Sequence, residues 1–92
     1  MQPRLDQNAT AMEARLAGAT ATGRSADGLV TIVVGGLGDV RAVRVEPRAL
    51  DLEDVTALEA AFAEALRSAF EAGRRLVLDT MMAAALERAS AT

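Results

Sequence analysis

The sequence contains no cysteine, histidine, lysine, tyrosine or tryptophan. Without cysteine it forms no disulfide and offers no thiolate, and its redox compartment is left open. Without histidine, cysteine, lysine or tyrosine, a general base would have to be a carboxylate, and Ser25, Ser68 and Ser90 have no imidazole to activate them. Asp51, Glu53 and Asp54 lack the spacing of a calcium-binding loop, and helix capping accounts for them. These absences point away from an enzyme and imply no cofactor and no metal. Nothing approaches the ~20 apolar residues of a membrane-spanning helix. The opening stretch MQPRLDQNAT has no apolar run, so neither a secretory signal nor an anchor is expected. The chain reads as a soluble cytoplasmic protein with no membrane partner.

Aromatics are scarce as well. Phe62 and Phe70 are the only two in 92 residues, and alanine dominates a composition that is 51% hydrophobic. Alanine buries little area, so a single domain of this size has a thin core. Self-association is the expected remedy.

What is present is organised around the stretch ADGLVTIVVGGLGDVRAVRVEP, residues 26–47. Its valines and isoleucine suit strands, expected over residues 29–35 and 40–46. If Ile32 lies opposite Val43, then Val30 lies opposite Val45 and one face becomes an aliphatic layer. A one-residue slip would turn that layer to solvent. Gly35, Gly36 and Gly38 lie between the strands. They resemble a phosphate-cradling loop only superficially, because the next element is a strand and no lysine follows. A hairpin turn is the better reading. Upstream, residues 19–25 read as a weaker strand, joined through the two-residue turn signal Asp27-Gly28. That register brings the small Ala21 and Gly23 to the core face, where a helix can approach closely.

Leu5, Ala9, Met12 and Leu16 recur with a helical period, predicting a short helix over residues 3–17 that needs a partner surface. A second helix is expected over residues 52–90, with Asp51 as its N-cap. It would run about 55 Å at 1.5 Å per residue, whereas strands of usual length cover only ~20 Å of it. Its second half, with Leu76, Val77 and Met81, would lie beyond the sheet. An exposed apolar helix of that kind implies another chain. Leu76, Val77 and Met81 are therefore the expected dimer contacts, and the melting temperature should rise with protein concentration.

The formal net charge is −3, which on its own disfavours a nucleic-acid partner. All ten basic residues, however, are arginine. Carrying the strand register across the sheet places Arg24, Thr31 and Arg44 in one outward row. Such a row could receive phosphate oxygens or serve as solvated surface charge. Arg4 and Arg15 project from the first helix, and Arg74 and Arg75 sit in the middle of the long one.

A short helix, a three-stranded meander carrying Gly28-Leu29-Val30, Gly36 and Val43-Arg44-Val45-Glu46-Pro47, and a long alanine-rich helix entered through Asp51–Asp54 together resemble the YbaB/EbfC family of bacterial nucleoid-associated proteins. The resemblance runs from about Met12 to Met82. It implies an α+β protomer, α-β-β-β-α, forming a homodimer whose helices project like the arms of tweezers. It also implies sequence-tolerant DNA binding in the nucleoid, without catalysis or cofactor. The chain lacks the lysine-rich N-terminal stretch of many members, and its lysine-free, arginine-rich composition suggests a GC-rich genome. Six arginines are candidates for DNA contact: Arg4, Arg15, Arg24, Arg44, Arg74 and Arg75. The alternative is a dimeric adaptor, such as an accessory protein of a type VII secretion system, that holds a protein partner between its arms and binds no DNA.

Overall fold

A computed structural model describes residues 3–51 and 54–90. The order is α1 (Pro3–Ala17), β1 (Thr20–Arg24), β2 (Val30–Gly35), β3 (Val40–Val45), a 3-10 turn (Pro47–Asp51) and α2 (Val55–Ser90). The strands form one antiparallel sheet in the order β1-β2-β3. Aliphatic alternation sets the register as expected. Ala21 and Gly23 oppose Val34 and Ile32, and Val30 and Ile32 oppose Val45 and Val43. Near the second turn the ladder shifts, so that Val33 opposes Ala42 but Val34 opposes Val40. Arg41 is the extra residue of this bulge.

The β1–β2 register continues past Arg24 to Ser25 and Val30, where the Ser25 amide donates to the Val30 carbonyl at 3.0 Å. Ser25 is buried, and its hydroxyl accepts the Val30 amide at 3.1 Å. That hydroxyl in turn donates to the Asp27 carboxylate at 2.6 Å, which also accepts the Leu29 amide at 3.0 Å. Gly28 closes the loop with φ +74°, a conformation other residues adopt only at a cost.

The long helix starts later than expected, and its N-cap is Asp54 rather than Asp51. Asp54 accepts the Ala57 amide on its side chain at 3.2 Å and the Leu58 amide on its carbonyl at 3.3 Å. Asp51 is spent in the 3-10 turn that follows Pro47. Residues 52 and 53, the expected first turn, lie outside the described residues.

Val30, Ile32 and Val34 on β2 pack with Ala61, Ala65 and Ala69 of α2 to make the core. The helix comes closest at β1, where Gly23 has no side chain. A Cβ there would lie 2.6 Å from Ala69 Cα and overlap the backbone of Ala65 and Ala69. A helix about 10 Å across spans only about two strands spaced 4.8 Å apart. Drawn towards β1, α2 covers β1 and β2 and leaves the inner side of β3 bare. Val40 and Val43 face the core side by their pairing, yet each is 51% exposed. The aliphatic layer expected from the sequence exists, but its third strand has no cover among the described residues.

Beyond the sheet, α2 continues as an arm. The molecule measures 59 × 22 × 17 Å with a radius of gyration of 17.6 Å, against about 12 Å for a compact chain of this length. The arm is less bare than its sequence implies: α1 packs beside α2, and Leu76, Val77, Thr80 and Ala84 are half-buried. Leu78, Met81, Met82 and Leu86 remain exposed. The end of α1 is tied to the β2–β3 turn, where Arg41 donates to the Ala17 carbonyl at 2.7 Å and the Gly36 amide to Ala19 at 3.1 Å. Among the described residues no helix is long and apolar enough to cross a membrane.

Candidate nucleic-acid interface

Pairing places Arg24 opposite Thr31 and Thr31 opposite Arg44. Side chains directly opposite across paired strands share a face, so the three form one row. It lies on the side away from α2, since their neighbours Gly23, Val30 and Ile32 are buried against the helix. Arg24 and Arg44 are exposed and Thr31 is half-buried between them. Two strand spacings separate the arginine backbones, roughly 10 Å. A guanidinium is permanently charged and presents a planar fork of donors suited to phosphate oxygens. Neither arginine has an ion pair among the described residues.

The other candidates are dispersed. Arg74 and Arg75 are exposed on α2, and Arg74 borders a hollow of about 130 Å³ with Phe70, Gly73, Val77 and the β2–β3 turn. Arg15 is committed to Glu87 at 3.0 Å, an exposed contact that ties α1 to the arm. The side chain of Arg4 lies outside the described residues. The sequence candidates thus fall on three separate surfaces, and only Arg24 and Arg44 are brought into one row. Two further arginines have structural partners: Arg41 pairs with Asp39, and Arg48 donates to the Asp27 carbonyl at 2.9 Å. The Asp27 carboxyl is held below its ordinary value, first by the Ser25 hydroxyl, then by the Leu29 amide, with a smaller contribution from Arg48.

The glycine-rich turn is not a phosphate cradle. Its Gly35 amide donates to Asp39 at 2.7 Å, its Gly38 amide to Gly35 at 3.0 Å, and its Gly36 amide to Ala19. These donors are consumed internally, as a hairpin turn requires.

A second surface escaped the sequence reading. Leu37 in the β2–β3 turn, Val40 and Val43 on β3 and Leu66 and Phe70 on α2 are all exposed, forming an apolar flank on the bare side of β3. Leu76 and Val77, expected as contacts with another chain, are partly covered within this one, whereas Met81 is open. The signal that could have revealed the flank was Gly23, whose missing side chain fixes where the helix sits.

The fold has a close counterpart in the crystal structure of the uncharacterized protein HP0035 from Helicobacter pylori. The TM-score is 0.69 at 19% identity, covering 85% of this chain and 90% of that one. Among curated proteins, a nucleoid-associated protein of Saccharopolyspora erythraea is 32% identical over 78 residues, spanning 85% of this chain and 67% of its own length. One from Mycobacteroides abscessus is 40% identical over 55 residues, 60% of this chain and 48% of that protein. One from Chlamydia caviae is 34% identical over 68 residues, 74% of this chain and 71% of that protein. The profile of the YbaB/EbfC DNA-binding family matches residues 2–89, nearly the whole sequence. The α-β-β-β-α chain described here belongs to the YbaB/EbfC DNA-binding family.

Proposed function

We propose that this protein is a nucleoid-associated, sequence-tolerant DNA-binding protein that works as a homodimer and holds duplex DNA through arginine–phosphate contacts. The observation that carries the reading is the family match over residues 2–89, joined by three relatives named nucleoid-associated proteins. Phosphate contacts position a protein on the duplex without reading its bases, which suits arginines scattered over a surface with no groove-entering helix assigned. The apolar flank of Leu37, Val40, Val43, Leu66 and Phe70 supports dimerisation, since a thin alanine core gains from a second copy covering it. Met81 extends that flank along α2; Leu76 and Val77 contribute at most their uncovered edges. Doubling the chain also doubles ten arginines to twenty, which allows local positive surfaces despite the net charge of −3 per protomer.

Titration onto a mixed-sequence duplex at roughly 50 and 200 mM salt tests the reading. Affinity that falls by orders of magnitude at the higher salt is the expected outcome, because phosphate contacts release counterions. Absence of binding at both salts, by protein shown to be folded, overturns it. The adaptor reading would then take its place: Leu78, Met82 and Leu86 are exposed along the arm of an acidic chain and offer an apolar surface for a partner helix.

A further inference from the structure

We propose that the duplex lies against the outer face of the sheet, with Arg24 and Arg44 as its phosphate contacts and Thr31 as a hydrogen-bond donor between them. The inference rests on the DNA-binding reading and assigns it a surface.

Charge distribution is the first argument. The chain has 13 acidic residues against 10 basic ones, yet none of the three strands contains Asp or Glu. Carboxylates border β3 only beyond its ends: Asp39 precedes its first residue and pairs with Arg41, and Glu46 follows its last, two positions from Arg44 on the same side. Besides its two arginines the outer face carries the hydroxyls of Thr20, Thr22 and Thr31 and the apolar Val33 and Ala42. In an otherwise acidic protein this is a local reversal of sign, and a field of one sign attracts a polyanion.

Availability is the second. Arg15, Arg41 and Arg48 are engaged by Glu87, Asp39 and the Asp27 carbonyl respectively. Arg24 and Arg44 have no such partner among the described residues and extend from paired strands, which hold their backbones at a fixed separation. The third argument is geometric. The core and the apolar flank lie on the opposite side of the sheet, so a second copy seated on that flank leaves the outer face open. Contacts of this kind grip the backbone and ignore base edges.

The test compares the wild type with three variants on one mixed-sequence duplex across a salt series. Arg24→Gln/Arg44→Gln removes the row. Arg67→Gln/Arg88→Gln removes equal charge from α2. Thr31→Glu keeps both arginines but sets a carboxylate between them. In a dimer the row supplies four arginines, two per protomer, so its loss should make the slope of log affinity against log salt shallower by roughly 3.6, at about 0.9 per phosphate contact. The α2 variant should keep the wild-type slope. Thr31→Glu should weaken binding at least as much as the double arginine variant, alike on unrelated sequences. Wild-type binding with an unchanged slope in the row variant, or an equal change in both double variants, overturns the assigned face while leaving DNA binding intact. No wild-type binding overturns both proposals at once.

Discussion

Gly23 decides where the long helix lies. A methyl group there would press on the backbone of Ala65 and Ala69, which has no rotamer to yield. Gly23→Ala should therefore destabilise the fold by about 1–3 kcal/mol, the usual cost of overpacking, measurable as a lower midpoint in urea. Asp27 organises the neighbouring loop through its bonds to Ser25 and Leu29, and these favour its ionised form. Its pKa in the folded state lies below the ordinary 3.8. The stability it contributes is then fully present above that value and is lost as pH falls through the lowered one. Urea unfolding from pH 7 down to 3 should reveal this acid-side loss, and Asp27→Asn should reduce the slope. The pairing of Ile32 with Val43 was legible from the sequence because strand alternation has a period of two and admits one solution with an aliphatic face. The hydroxyl of Ser25 carries no comparable signal, so its bond to the Val30 amide was not.

The long helix illustrates a different limit. Its existence follows from an uninterrupted helical period, but its start does not, because DLED offers several residues able to cap. The choice falls to Pro47: the 3-10 turn it opens absorbs Asp51 and passes capping to Asp54. Asp54→Ala should cost about 1 kcal/mol, whereas Asp51→Ala should cost markedly less, and thermal melts of the two variants distinguish them. How much of the sheet the helix covers was hidden for a related reason. Coverage depends on the closeness of approach at one glycine, which fixes a sideways position that periodicity cannot encode. The packing of α1 beside α2 was equally unreadable, since a short amphipathic helix names no partner surface.

Together, a 36-residue helix on strands of five and six residues makes an elongated protein with a small core. A bare inner strand beside exposed phenylalanine is where such a molecule gains most from a second copy. Val43→Arg should leave the protomer's core intact, since Val43 contributes little to it, and abolish the proposed dimer, as read by light scattering. A dimer that persists would exclude this flank as the contact. The arginines were legible as a basic inventory, but their division into tethered and untethered groups needed three dimensions: Glu87 lies 72 positions from Arg15.

The bulge at Arg41 gives the sheet two phases. From Val45 to Ala42 the strand alternates in step with β2; then one residue is skipped and the count restarts at Val40. Were the strand to pair without the skip, Arg41 would oppose Val34 and Val40 would turn outward; as it is, Val40 keeps its inward place and the Arg41 guanidinium is free to fasten the end of α1 at Ala17. A single irregular position thus couples the aliphatic flank to the aim of the first helix, so a change in the length of that turn would alter both together.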